Sequence, residues 1–368
     1  MVYNVLGDYS KLAVEVKKDN QYYIGIDIGG TNTRVVYATA KGDYYTIKEF
    51  LCSSVKVLLE ELFIIQDTLL TEFVEPTFTT IDLAGPHLSK NKYKFTNYVE
   101  SDNILLTEYL PKKLCPEGRY AILNDLESGS YGIIPYIISG KSEEIFLNLI
   151  TPEEAKEIPT NGVFVVLAAG TGLGVGLIHK YGEEYRVIPS EFGHISICSD
   201  DGDCEQELFA KLSENIKNTE PSRKNYCLEY EDIVSGRGIQ ALYMINKNQN
   251  EPARDNAEIA TQATNAPANL DCTCVKTMKI HYKYLLRCAR EISVGTFATG
   301  VYLIGDNIVR NKNFVDSVKN QLEFEFKDHP KIEWLRHIPV FGQSALKNLN
   351  LIGTVYYGIN AAKKLPSL

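Results

Sequence analysis

The chain has 368 residues, more than one ordinary hydrophobic core organises, so two domains are expected. Its 44% hydrophobic and 23% charged content is that of a soluble globular protein. A formal charge of -9 argues against a general nucleic-acid or anionic-membrane binder, which displays basic patches, and no apolar run approaches the roughly 20 residues that span a bilayer.

The N-terminal "MVYNVLGDYSKLAVEVKKDN" carries acids, no arginine and no continuous apolar segment, so neither a signal peptide nor a mitochondrial-type presequence is expected. The terminal "PSL" matches the peroxisomal "SKL" address only loosely. A cytoplasmic protein is expected, with organelle import left open. The first clear strand is "YYIGIDI", and after a glycine turn "TRVVYAT" alternates well enough to be its hairpin partner. "GDYYTIKEF" reads as a third strand, and "SSVKVLLEELFIIQDTLL" has helical apolar spacing. "TFTTIDLAGP" is a strand ending at Gly85-Pro86. "YAILNDLESGSYGI" is another, ending at Asn124-Asp125 and passing into a helix.

The second half opens in the same way. "GVFVVLAAGTGLGVGLIHK" is a strand, a glycine-rich turn and a second strand, and it echoes "YYIGIDIGGTNTRVVYA" in layout. That internal repeat points to two related α/β halves. Later come helices in "SGRGIQALYMINK" and from Val275 to about Val294, then a strand "GVYLIGD" and a helical "NFVDSVKNQLEFEF". The polar "NQNEPARDNAEIATQATNAPANLD" reads as a connection around a short helix.

Cys52, Cys115, Cys198, Cys204, Cys227, Cys272, Cys274 and Cys288 are scattered without a secretory signal, so reduced thiols are expected. "CTC" has no nearby His-Cys set with zinc spacing, and the acids of "CSDDGDCEQE" miss the EF-hand positions before Gly202. No structural metal is expected.

Glycine turns bring backbone N–H groups close to phosphate oxygens without interference from Cβ, although many such hairpins bind nothing. Thr31 and Thr171 add hydroxyl donors, Asp27 stands where it could position hydrated Mg2+, and Arg34 is a cationic or structural contact. No G-x-x-x-x-G-K-[ST] is present. The alternating glycines of "GTGLGVG" lead into a strand, where a dinucleotide fingerprint requires a helix. From their letters alone, Asn124-Asp125 are either a helix cap or a base with its neighbour.

"DIGGTNTR", "LAGP", "FTNY", "LNDLESG", "LAAGTGLG", "PSEFGH", "EDIVSGRG" and "LIGDNIV" occur in this order. From roughly Tyr23 to Gly358 the chain thereby resembles bacterial-type glucokinases (group A, found also in some protists) of the hexokinase–actin superfamily. The resemblance implies an α/β, two-domain hexokinase/actin-like (ribonuclease H-like) fold with a sugar cleft between the domains. It places a small domain at residues 1–134, completed by 354–368, and a large domain at 135–353. It further implies ATP-dependent phosphoryl transfer to the 6-hydroxyl of D-glucose, the entry step of glycolysis, with Mg2+. No nucleic-acid or membrane partner is implied, and a homodimer is left open.

Residue by residue, the resemblance makes Asp125 the general base and Asn124 a sugar contact, with Asn97 in "FTNY" a neighbouring one. Glu191, His194 and Glu231 match the family's hydroxyl-reading positions. Asp27, Gly29, Gly30 and Thr31, and Gly170, Thr171 and Gly172, match its two phosphate turns, with Asp27 also in indirect contact with Mg2+. Gly305, Asp306 and Asn307 match the border of the adenosine site, and "NLNLIG" a C-terminal nucleotide-side loop. Two departures stand out. The cysteine-rich signature of a zinc-containing branch is absent after "EFGH", and Phe192 replaces a small residue within that motif. The competing readings are a kinase for a related hexose or amino sugar, a non-catalytic sugar-responsive regulator on the same fold, and an actin-like filament protein.

Overall fold

The computed structural model describes residues 21–29, 32–70, 74–153, 161–197, 203–220, 223, 227–266 and 272–365. Gly30, Thr31, the N-terminal extension, residues 198–202 of the acidic "CSDDG" stretch, residues 267–271 and the terminal "PSL" lie outside them. The chain divides into two compact units, Met1–Lys141 with Asn348–Leu368, and Ser142–Lys347.

In the first unit, β1 (Tyr22–Ile28) is buried at every residue, Asp27 included, as in a strand covered on both faces. It pairs antiparallel with β2 (Asn32–Thr39), which pairs antiparallel with β3 (Tyr44–Leu51). Helix α1 (Val55–Leu70) buries Val55, Leu58, Leu62, Ile65 and Leu69, an alternating three-and-four spacing that keeps one face on the core. On its other side β1 runs parallel to β4 (Phe78–Leu83), giving the order β3-β2-β1-β4-β8. Three short strands, β5 (His87–Ser89), β6 (Lys92–Lys94) and β7 (Ile104–Leu106), make a separate sheet. β8 (Tyr120–Asn124) then lies parallel to β4 and feeds directly into α2 (Asp125–Ser139).

In the second unit, β9 (Phe146–Ile150) is an edge strand. β10 (Asn161–Ala169) and β11 (Leu173–Tyr181) form the glycine hairpin, and β12 (Glu184–Ser190) closes that side of the sheet. Helices α3 (Asp203–Thr219), α4 (Gly236–Asn246), α5 (Asn256–Asn265) and α6 (Thr273–Thr296) follow. β13 (Gly300–Ile304) runs parallel to β10. After it come α7 (Asp306–Arg310), α8 (Lys312–Ser317), α9 (Lys319–Lys327), α10 (Ile332–Leu335) and β14 (Val340–Gln343). The sheet order is β12-β11-β10-β13-β14-β9. Its first five strands repeat the hairpin-then-parallel pattern of the first unit, so the echo between the two glycine hairpins reflects a repeated topology.

Three elements differ from the sequence expectations. "NFVDSVKNQLEFEF" is two helices, α8 and α9, broken at Val318. β12 carries Pro189, which lacks a ladder N–H and is tolerated because β12 is an edge strand. "NLNLIG" is not a loop. Asn348 caps α11 (Leu349–Ala362) by accepting the Leu351 N–H at 2.9 Å, and the helix returns the chain to the first unit. Among the described residues no helix is long and apolar enough to cross a membrane.

α11 packs on α2 and on β1 and β4 at distances only glycine allows. A Cβ on Gly353 would stand 1.7 Å from the Ser128 carbonyl oxygen, and one on Gly132 would stand 2.0 Å from that of Leu349. Both obstacles are backbone and cannot rotate away. Gly353→Ala should therefore cost at least about 2 kcal/mol through overpacking. Gly295→Ala, whose Cβ meets nothing within 4 Å on α6, should be neutral or slightly stabilising. Denaturant titration of the two variants checks this, and equal stabilities would contradict the packing.

Candidate active site

The parallel strands β1, β4 and β8 set the first cluster. Asp27 on β1 lies in register with Asp82 on β4, and Leu83 lies in register with Asn124 at the end of β8. Asp27 is almost buried. Its Oδ2 accepts from Asn348 Nδ2 at 2.6 Å and lies 3.8 Å from Arg34. Asp82 is fully buried, and its Oδ1 has no hydrogen-bond partner. Burial first, then the charges of Asp27 and Asp125 and the hydrogen bond to Asp27, raise its carboxyl well above the ordinary range, with Asn350 offsetting part of this. Asp82 thus holds its proton more firmly than an ordinary carboxyl, beside two other acids.

Asp125 opens α2 and is exposed, and Asn124 is its N-cap. Leu126 N–H is shared between Asn124 Oδ1 and Asp125 Oδ1, both at 2.9 Å. The capping reading of this pair is therefore observed, and it is compatible with a chemical role. The cap uses Oδ1 of Asn124, so donation to a ligand falls to its Nδ2. Glu127 receives the Asn124 backbone N–H, and burial raises its carboxyl despite that contact. Gly29 makes the tight β1–β2 turn, its N–H bonding Asn32 O at 3.1 Å. Asn97 lies on an exposed loop. The adjoining Thr96 bonds Ala84 O through its N–H and its hydroxyl. Gly85, at φ 155°, lets that loop close, because a Cβ there would stand 1.9 Å from Lys94 O.

In the second unit Gly170 and Thr171 form the exposed tip of the β10–β11 hairpin, and a Cβ on Gly170 would meet nothing within 4 Å. The turn is braced from behind. Gly236 N–H bonds Gly170 O at 2.8 Å, and Glu231 Oε2 accepts the Leu173 N–H at 2.9 Å. Glu231 Oε1 holds Arg237 at 2.5 Å. A Cβ on Gly172 would stand 2.6 Å from Glu231 Oε2, so any side chain there would disturb the turn and the acid together. Asn307 joins this cluster by donating to Ala169 O at 3.0 Å, and Gly305, at φ 108°, donates its N–H to Gln343. Asp306 is exposed and faces Arg310 instead.

Glu191 and His194 follow β12. Gly193 between them is required, because a Cβ would stand 2.1 Å from Leu173 O. Phe192 packs against the hydrophobic core of the unit, which accounts for a large residue at that position. His194 Nε2 lies 3.9 Å from Glu191, and its Nδ1 lies 2.8 Å from Glu229, a residue sequence reasoning missed. Burial opposes the imidazolium, but the Glu229 hydrogen bond and the charges of Glu231, Glu229 and Glu191 outweigh it and raise the His194 pKa. Asp82 and Glu229 stand among these residues although no motif contained them, and Asn348 heads the "NLNLIG" stretch whose side chains the sequence left without a role. A lone acid inside the apolar "TTIDLAG" was the only signal for Asp82. Among the described residues, no group of three or more His, Cys, Asp or Glu side chains is arranged to hold a metal.

Because the folded pKa of Asp82 is raised above its unfolded value, its contribution to stability is complete below the ordinary carboxylate pKa and is lost as pH rises towards its folded value. Asp82→Asn, which cannot ionise, should therefore melt above the parent at pH 8, with the difference vanishing at pH 4. Thermal unfolding at both pH values checks this. A constant difference would show that Asp82 is charged in the fold.

Residues 24–355 match the family profile described as glucokinase. The chain is 30% identical over 366 residues to "Glucokinase 1" of Trichomonas vaginalis, covering 93% of this chain and 94% of that protein. It is similar in structure to the glucokinase of Balamuthia mandrillaris, solved in complex with glucose. The TM-score is 0.78 at 29% identity, covering 94% of this chain and 98% of that one. The glucokinase of Leishmania braziliensis shares the fold, with a TM-score of 0.79 at 21% identity over 97% of this chain and 99% of that one. The fold is therefore that of the hexokinase–actin superfamily, and the chain belongs to the glucokinase family.

Proposed function

We propose that the chain transfers the γ-phosphate of ATP to the 6-hydroxyl of D-glucose, giving glucose 6-phosphate, in the cytoplasm and at the entry of glycolysis. The observation that carries this reading is the family match through residues 24–355, with an exposed carboxylate, Asp125, at the strand-to-helix junction beside Asp27 and Asp82. Asp125 accepts the proton as the hydroxyl oxygen attacks phosphorus. Asn97, Asn124, Glu191, His194 and Glu231 are the sugar contacts. The Asp27–Thr31 and Gly170–Gly172 turns bind phosphates, and Gly305, Asp306 and Asn307 border the adenosine. The open side of Gly170 suits a phosphate's approach.

Asp27 is one carboxylate already hydrogen-bonded by Asn348, which suits contact with hydrated Mg2+ carried by the nucleotide rather than a protein cage. When bound, Mg2+ offsets phosphate charge. A homodimer is compatible with this reading. Purified protein incubated with Mg-ATP and a panel of sugars tests it. Glucose 6-phosphate should form, whereas preference for another hexose or an amino sugar, or glucose binding without turnover, would favour the alternatives.

Asp125→Asn should keep the fold, since an amide oxygen can still accept the Leu126 N–H. It should keep glucose binding by calorimetry and lose on the order of 10²–10⁴-fold in turnover at saturating Mg-ATP. Near-parental turnover would remove Asp125 as the base. Glu191→Ala should raise the glucose KM about tenfold, the loss of about one hydrogen bond to a charged group, and leave the ATP KM unchanged. Identical glucose saturation in parent and variant would remove Glu191 from the pocket.

A further inference from the structure

Glu229 lies two residues before Glu231 and outside every motif that marks the site. The backbone brings it to His194. Residues after His194 run antiparallel to the segment at 228–230, through the Ser196–Glu229 bridge and through Ile197 N–H to Leu228 O at 2.9 Å and Tyr230 N–H to Ile195 O at 3.2 Å. This pairing places Glu229 Oε2 at 2.8 Å from His194 Nδ1. The carboxylate is itself fixed. Its side chain is 14% exposed, it accepts the Asp232 backbone N–H in a reciprocal cap, and it lies 3.4 Å from Arg223 Nη2. Arg223 is in turn held by both oxygens of Asp232, at 2.5 and 2.9 Å. Glu191, by contrast, is 88% exposed and 3.9 Å from the imidazole.

We propose that Glu229 is the positioning residue that fixes the ring orientation and tautomer of His194, so that Nε2 is the atom offered to a sugar hydroxyl. This rests on the reading of His194 as a sugar contact. Nδ1–H donates to the Glu229 carboxylate, which leaves Nε2 of the neutral ring an acceptor. A further proton enters at Nε2 and makes it a donor to the hydroxyl oxygen. The charges facing the ring are Glu191 at the head of its own short helix and Glu229 and Glu231 from the neighbouring one. Behind them Arg223 holds Glu229 and Asp232, and Arg237 holds Glu231. The net negative surround raises the pKa of the imidazole, as noted above, so loss of one carboxylate lowers it.

The bland role for Glu229 is to cap the short helix at Tyr230–Asp232. Glu229→Gln separates the two roles. The amide keeps the length and an oxygen to accept the Asp232 N–H, but it removes the charge and offers an N–H to Nδ1. Four proteins are compared: parent, Glu229→Gln, His194→Gln and the double variant. The readouts are glucose and ATP KM from pH 6 to 9, thermal unfolding, and the His194 ring titration by NMR.

Glu229→Gln should lower the His194 pKa and raise the glucose KM about tenfold, as loss of a charge-assisted hydrogen bond implies. ATP KM and melting temperature should stay near parental. The double variant should be no worse than His194→Gln alone, because Glu229 acts through the ring. Additive losses in the double variant would overturn the proposal. So would a parental glucose KM in Glu229→Gln, or a fall in melting temperature with both KM values raised. If His194→Gln itself keeps the parental glucose KM while the NMR titration still reports the Glu229 pair, the sugar-contact reading fails and the proposal falls with it.

Discussion

The second unit's site depends on the backbone of one residue, Leu173. Its N–H is held by Glu231, and its carbonyl oxygen occupies the place a Cβ would take on Gly193. Three motifs far apart in the sequence are thereby joined. The glycine turn cannot move without Glu231, and the loop carrying Glu191 and His194 cannot sit where it does unless residue 193 lacks a side chain. One of these constraints is steric and the other is a charge-assisted hydrogen bond, so the arrangement is rigid for different physical reasons at each contact. Chemistry placed on such a base inherits its geometry from strand β11.

The first unit solves a different problem, which is to keep acids together at the ends of parallel strands. Three ionised carboxylates so close together would repel one another, and burial makes the charges of Asp27 and Asp82 costly. The structure answers by raising the pKa of one of them. Asp82 takes the fully buried position, where desolvation and its acidic neighbours favour its protonated form, and a protonated carboxyl can donate to Asp27 rather than repel it. Asn348 and Asn350, at the start of α11, supply amides to the same cluster. This is why the final helix returns to the first unit with glycine-only spacing. A looser contact between α11 and α2 would take those amides away from the acids.

Much of the fold was legible because its strongest signals are local. Apolar strands that stop at Gly29, Gly85 and Gly170 announce hairpins and strand ends whatever lies elsewhere, and the repeat of that pattern announces two similar halves. Asn124-Asp125 was legible as a strand-to-helix junction for the same reason. What escaped was non-local. Asp82 had no nearby partner in sequence, since Asp27 and Asn350 reach it only through the sheet and the last helix. Glu229 looked like one of several acids in "LEYED", and its pairing with His194 follows from an antiparallel contact between distant segments. β12 was hidden by Pro189, which reads as a strand breaker until the strand is known to be at an edge. The α3 segment was read for metal ligands, although Leu208, Phe209, Leu212 and Ile216 already carry a helical spacing.

The acids around His194 differ most in how much of their ordering is complete before a ligand arrives. Glu229 and Glu231 are each 14% exposed at the side chain and fixed by backbone N–H groups and arginines, so their rotamers are already chosen. Glu191 is 88% exposed and must be ordered on binding, which costs on the order of 1–2 kcal/mol in side-chain entropy. That cost takes up part of the gain from one hydrogen bond to a charged group, about 1.5–3 kcal/mol. On the proposed reading, the fixed acids therefore supply orientation, through the glycine turn and the imidazole. Glu191 contributes net affinity only when the ligand offers a hydroxyl placed well enough to exceed its ordering cost. A ligand lacking that hydroxyl leaves Glu191 in water at no penalty, so discrimination at this position is modest in size and falls on the bound hydroxyl rather than on the overall fit of the ring.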